Sequence, residues 1–186
     1  MADGLEVLVD SDEINEIIER LAAELSEQYE DGVVLVAVLR GSVPFLADLV
    51  RAMTIRSAVD FVAITPYTPG TGRVRLLMDV STDLRDRDVV IIEDIVDTGL
   101  TAGFLIGELG RREPKSLSIC TLVDRPAGRV VPVELRHVGV VIPDRFVIGY
   151  GLDYEGRYRN LRVLAAADLD ILHRDPDAYV EELYGA

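Results

Sequence analysis

Along the chain, blocks of consecutive apolar residues alternate with stretches in which apolar residues recur every three or four positions. Residues 33–39 (VVLVAVL), 89–92 (VVII) and 116–123 (SLSICTLV) are of the first kind. Such runs, without polar alternation, predict strands buried on both faces, as in a parallel sheet covered by helices. Residues 58–65 read as a further strand and 74–80 (VRLLMDV) as the one after it, with the turn-rich PYTPGTGR (66–73) between them. Helical spacing is clearest for Ile14, Ile17, Ile18, Leu21, Ala22 and Leu25, an amphipathic face that packs on the sheet. Asp10 or Ser11 caps this helix, with acids in its first turn where the helix dipole favours them. A second helix carries Phe45, Leu46, Leu49 and Val50, and a third Phe104, Leu105 and Leu109, stopping near Gly110. Leu169, Ile171 and Leu172, then Tyr179, Leu183 and Tyr184, read as closing structure and a terminal helix. Strand and helix in alternation predict an α/β fold with a parallel sheet and right-handed crossovers. No repeat, low-complexity tract or Pro/Gly/Ser-rich linker divides residues 1–186, so a single domain is expected.

Charge and composition exclude several classes of function. A formal net charge of −14 opposes general nucleic-acid binding, which needs clustered Lys and Arg on phosphates. Cys120 is the only cysteine, so a disulfide within the chain is impossible, and with only His137 and His173 beside it a soft-ligand zinc site is not expected. The start MADGLEVLVD lacks a basic segment followed by an apolar core, and no run approaches the ~18 apolar residues of a membrane span. The expectation is a soluble cytoplasmic protein.

Chemistry concentrates in VVIIEDIVDTGLT (89–101). Glu93 and Asp94 follow a buried strand, at the edge where open α/β sheets bind ligands. Asp97, Thr98, Gly99, Leu100 and Thr101 then form a short turn opening a helix, where backbone N–H groups and two hydroxyls converge as a phosphate cradle. Acids beside such a nest suit a phosphorylated sugar, because carboxylates accept from ribose hydroxyls while the nest takes the phosphate. Neither GxxxxGK[ST] nor GxGxxG is present, which excludes a Walker loop and a dinucleotide fingerprint. A second strand-turn-helix unit places Arg40, Gly41 and Ser42 after 33–39, where backbone and a cation approach an anion.

The apolar strand, Glu-Asp and Asp-Thr-Gly-x-Thr resemble the diphosphoribosyl-binding motif of the phosphoribosyltransferases. Residues 142–161 (IPDRFVIGYGLDYEGRYRNL) resemble the hood and nucleobase segment of the hypoxanthine-guanine branch. The likeness covers roughly residues 5 to 170. It implies a five-stranded, mainly parallel sheet flanked by helices, with a small hood drawn from N-terminal residues and about 140–170. The implied reaction moves ribose 5-phosphate from phosphoribosyl diphosphate to N9 of a 6-oxopurine, releasing diphosphate. By the same resemblance Asp97 is the general acid/base near the purine N7, and Glu93 and Asp94 hold the ribose hydroxyls and help a metal. Thr98, Gly99, Leu100 and Thr101 grip the 5′-phosphate, and Arg40, Gly41 and Arg159 take diphosphate. Phe146 stacks on the purine, Val147 reads its edge, Arg125 stands where the family has a Lys to the exocyclic oxygen, and Asp153 anchors magnesium beside the base.

The chain departs from the family pattern at three places. Leu39-Arg40-Gly41 replaces a Leu-Lys-Gly loop that often contains a non-proline cis peptide, Arg125 replaces Lys, and Pro66 stands where a Ser precedes the lid tyrosine, here Tyr67. The arginines keep a xanthine-preferring enzyme open as an alternative. A regulator that senses phosphoribosyl diphosphate and binds RNA or DNA is the other class, opposed by the charge. Partners implied are phosphoribosyl diphosphate, a purine base and Mg2+, in a homodimer or homotetramer.

Overall fold

Each buried run splits its side chains between two cores. In the computed structural model, which describes residues 4–65 and 75–185, β2 (Val33–Leu39) sends Val33, Leu35 and Ala37 to one face of the sheet and Val34, Val36 and Val38 to the other. β5 (Asp88–Val96) does the same with Val90 and Ile92 against Val89 and Ile91. Period-two side-chain alternation in an all-apolar strand requires cover on both faces. α1 (Ser11–Gln28) and α2 (Val43–Ala52) cover the first face through Ile14, Ile18, Leu21, Leu25, Phe45 and Leu49. α3 (Leu100–Gly110) covers the second through Ala102, Leu105 and Leu109.

The remaining strands of the main sheet are β3 (Ser57–Ile64), β4 (Leu76–Met78), β6 (Ser116–Asp124) and β7 (His137–Val141), in the order β4-β3-β2-β5-β6-β7. The five from β3 to β7 are parallel and β4 joins the edge antiparallel, so the expected five-stranded parallel core is present with one strand added. β4 is shorter than the pattern over 74–80 suggested. Beyond Met78 the backbone turns to side-chain acceptors: Val80 N–H donates to its neighbour Asp79, and Ser81 and Thr82 N–H donate to Asp60. These bonds replace a ladder, so pairing stops. β7 is not evident from hydropathy, being a short edge strand interrupted by Gly139. Arg20 on α1 caps its carbonyls at Val138 and Gly139 (3.0 and 2.7 Å).

The α1 cap is Asp10. Its carboxylate accepts from Asp12 and Glu13 N–H (2.9 Å each) while Glu13 accepts from Asp10 N–H (2.9 Å), a reciprocal capping box. A second, antiparallel sheet of β1 (Glu6–Val9), β8 (Phe146–Ile148) and β9 (Leu164–Ala167), in the order β1-β9-β8, forms the hood. Its own small core joins Leu5, Ile148, Tyr158 and Leu161 to Leu172 and Tyr179 of the closing segment, which contains α4 (Leu169–Arg174) and α5 (Val180–Tyr184). Tyr150 ties hood to sheet layer, donating to Asp48 on α2 at 2.5 Å. Among the described residues no helix is long and apolar enough to cross a membrane.

Candidate active site

β2 and β5 are neighbours whose following helices leave on opposite faces, α2 to one side and α3 to the other. Their carboxyl ends therefore diverge, and a crevice opens between them, as at the switch point of any doubly wound sheet. β2 pairs with β5 only as far as Ala37 with Ile92, whereas β5 continues along β6 through Glu93 to Val96. Glu93 and Asp94 are thus not in a loop after the strand, as the apolar run alone implied, but in its last turn of pairing, with one flank exposed to the crevice.

A cavity of about 590 Å³ fills that crevice, lined by Arg40, Gly41, Glu93, Asp94, Asp97, Thr98, Gly99, Thr101, Asp153 and Arg159. A second chamber of about 280 Å³ adjoins it, lined by Arg125, Phe146, Val147 and Leu152, and shares Asp94, Asp97 and Asp153 with the first. Arg40, Arg159, Glu93 and the glycine turn thus lie in one chamber, and Arg125 with the hood aromatic in the other. Asp97 belongs to both. Residues at 39–41, 93–99, 101, 125, 146–147, 153 and 159 that the sequence singled out converge here, whereas Leu100 lines neither chamber; the expected lid at 66–73, with Tyr67, lies outside the described residues.

The floor is acidic and undersatisfied. Glu93 is 3% exposed and its Oε1 has no hydrogen-bond partner. Burial, and secondarily the Asp94 charge, push its carboxyl well above the usual range. Burial also raises Asp94 to about 6; the Ile95 N–H and the Arg159 guanidinium oppose that rise, and Asp153 adds to it. Gly41 stands directly over this carboxylate: a Cβ there would lie 1.5 Å from Asp94 Oδ2. The Leu39–Arg40 peptide that delivers Gly41 is cis. Ser42, fully buried, donates to Val38 O at 2.6 Å and so closes the turn.

At the opposite wall, Thr98 Oγ1 accepts from Leu100 N–H at 3.4 Å and Gly99 adopts φ 80° ahead of α3, a left-handed conformation that glycine adopts without strain. Asp97 receives both arms of Arg125, Nε on Oδ1 at 3.0 Å and Nη2 on Oδ2 at 2.5 Å. Those bonds to Asp97 raise the pKa of Arg125, which stays a cation. Arg125 also donates to Arg145 O (3.0 Å), so it bridges the strand turn and the hood. Arg159 is held by Asp153 (2.6 Å) and by Gly151 O (2.6 Å). Phe146 meets Tyr154 edge-on, centroids 6.0 Å apart, and Tyr154 in turn meets His173 of α4 at 6.1 Å.

Tyr154 and Arg129 back this site without any sequence signal to mark them, Tyr154 through the ring of Phe146 and Arg129 through Asp97, 32 residues away. Arg129 donates to the Asp97 carbonyl at 2.8 Å and pairs with Asp124.

A model of the phosphoribosyl transferase domain matches residues 7–155. The chain is 45% identical over 167 residues to the hypoxanthine phosphoribosyltransferase of Salmonella typhimurium, covering 87% of this chain and 94% of that one. It is 42% identical over 159 residues to the hypoxanthine-guanine phosphoribosyltransferase of Bacillus subtilis, covering 83% and 88%. The crystal structure of a hypoxanthine phosphoribosyltransferase from Staphylococcus aureus superposes with a TM-score of 0.86 at 36% identity, covering 91% of this chain and 94% of that chain.

Proposed function

The chain belongs to the phosphoribosyltransferase family, and on that premise we propose that it transfers the 5-phosphoribosyl group of phosphoribosyl diphosphate to N9 of hypoxanthine, and of guanine, in purine salvage. The products are the nucleoside 5′-monophosphate and diphosphate. The observation that carries this reading is the pair of joined chambers, one built for anions and hydroxyls and one roofed by Phe146, meeting at Asp97.

The transfer builds positive charge on the sugar and negative charge on the leaving diphosphate. Thr98, Gly99, Leu100 and Thr101 hold the 5′-phosphate through backbone N–H groups and hydroxyls. Arg40, Gly41 and Arg159 receive the diphosphate, the arginines neutralising its oxygens. Glu93 and Asp94 accept from the ribose 2′- and 3′-hydroxyls. Phe146 stacks on the purine, backbone at Val147 reads its edge, and Asp97 exchanges a proton with N7 as electron density shifts toward N9. Arg125 lines the base chamber and donates to the 6-oxo oxygen when the base is in place.

The acids fit Mg2+. Glu93 carries an orphaned buried oxygen and Asp94 and Asp153 repel each other, a negative excess that a divalent cation relieves. Among the described residues no three His, Cys, Asp or Glu side chains converge as a metal cage. Asp153 would anchor the ion, with Glu93 and Asp94 acting through water. When bound, the ion offsets the charge of the departing diphosphate.

The assigned unit is a single domain, 1–186, working in the cytoplasm as a homodimer or homotetramer. Exposed Leu77 and Met78 on edge strand β4 supply apolar surface that self-association would cover. Initial rates with hypoxanthine, guanine, xanthine and adenine, each with phosphoribosyl diphosphate and Mg2+, test the reading. Turnover of the 6-oxopurines hypoxanthine and guanine, lost on chelation of the metal, is expected; no turnover with any base would overturn it.

A further inference from the structure

The turn at 96–99 is held from behind chiefly by residues 129–131, which no part of the proposed mechanism uses. In a planar trans peptide the carbonyl and the next residue's N–H point in opposite directions, so fixing one aims the other. The Val96 carbonyl accepts from Arg125 N–H (3.1 Å) and Arg129 Nη2 (3.2 Å). That of Asp97 accepts from Arg129 Nε (2.8 Å), and that of Thr98 from the N–H groups of Val130 and Val131 (2.9 Å each). Three successive carbonyls thus find their donors at the back of the turn, and peptide planarity aims the N–H groups of Asp97, Thr98 and Gly99 the other way, to the side on which those residues line the cavity.

We infer that Arg129 is a positioning residue for phosphate: its guanidinium, braced by Asp124, sets the peptide planes of 96–98 so that the following N–H groups form an anion nest. Arg129 is well placed for this. Its side chain is 18% exposed and Asp124 is 16% exposed, so the pair is sheltered from screening and keeps one geometry. The strap lies close against the turn: a Cβ on Gly99 would fall 2.2 Å from Val131 O and 3.0 Å from Arg129 Cδ. Lysine cannot duplicate the arrangement, because a single ammonium lacks the planar fork that reaches two carbonyls and a carboxylate together. The cation also stands behind the turn and favours an anion in front of it, in the manner of a helix N-terminus.

The inference rests on the reading of 97–101 as the 5′-phosphate site, and the test separates the two. Inosine 5′-monophosphate and inosine differ only in the phosphate, so the ratio of their affinities reports the nest alone. Titration calorimetry on the full chain gives this ratio for wild type, Arg129→Ala and Arg129→Lys, with melting temperatures measured beside it. Arg129→Ala is expected to weaken the monophosphate by about tenfold while inosine changes by less than about twofold, with Arg129→Lys between. The KM for phosphoribosyl diphosphate rises in parallel and that for hypoxanthine does not. If Arg129→Ala does not fold, Arg129→Lys carries the same comparison. A purely structural arginine lowers the melting temperature and leaves the ratio intact, which would overturn the inference. A wild type that binds monophosphate no better than inosine would instead overturn the site reading.

Discussion

Gly41→Ala is a sharp perturbation, because the methyl group it adds runs into a functional carboxylate and has the Gly151 carbonyl, at 3.3 Å, as its next neighbour. The added Cβ would stand 1.5 Å from Asp94 Oδ2 and 2.6 Å from its Cγ. Non-bonded heavy atoms settle near 3.5 Å, so the carboxylate has to retreat by roughly 2 Å. It can do so by swinging into the cavity, which leaves the fold intact but withdraws Asp94 from the ribose hydroxyls. Misplacement of a reacting group by about 1 Å already costs on the order of 100-fold, so kcat/KM for phosphoribosyl diphosphate is expected to fall by at least about 100-fold. Stability should hardly move, since Gly41 does not have a positive φ and alanine restricts the unfolded chain. Gly107→Ala is the matched control: it lies within α3 with nothing within 4 Å of its Cβ position. It should raise stability by about 0.5–1 kcal/mol and leave turnover alone. Steady-state kinetics with varied phosphoribosyl diphosphate, alongside thermal melting, measure both. A Gly41→Ala enzyme within about twofold of wild type in kcat/KM would refute the placement of Asp94 at the ribose.

Three further outcomes are expected. Asp97→Asn should keep binding of phosphoribosyl diphosphate, measured by calorimetry, and lower turnover with hypoxanthine by about 100-fold or more, the scale of a lost general acid/base; unchanged turnover would remove Asp97 from that role. Tyr150→Phe deletes the 2.5 Å bond to Asp48, whose carboxylate is 35% exposed and also paired with Arg51. Solvent screening should therefore bring the loss below the roughly 1.5–3 kcal/mol of a charged acceptor, to about 1 kcal/mol, read as a lower urea midpoint. For Asp60, burial works to raise the pKa, but hydrogen bonds from Thr82, Phe61 and Ser81 outweigh it and hold the carboxyl at about 2, below its ordinary 3.8. Between those values the unfolded chain binds more protons, so this stabilisation is present above about pH 4 and lost as pH falls through about 2. Urea unfolding from pH 6 to 2 should show that loss in wild type and a shallower one in Asp60→Asn.

Much of this was legible without coordinates wherever the information is local. The apolar runs at 33–39 and 89–92 specify strands buried on both faces, because only a covered sheet accommodates apolar residues at every position. The Asp10–Glu13 capping box lies within three residues, and the turn DTG at 97–99 carries its own glycine for a positive φ. Resemblance of 142–161 to a nucleobase segment directed attention to Phe146, which composition alone would assign to the core, and the folded chain puts it at the wall of the second chamber.

What the tertiary structure decided is which of these pieces touch. Arg125 and Asp97 are 28 residues apart and Arg129 and the Asp97 carbonyl 32, yet each pair forms one unit. Periodicity describes which face a residue occupies, not which distant group will face it. The extension of β5 past Ile92 was likewise hidden, since polar Glu93 and Asp94 are tolerated in a strand only because β2 diverges there and leaves their flank open to a cavity. The divergence follows from α2 and α3 packing on opposite faces of the sheet, a choice made by the assembly of the whole core and by no segment alone.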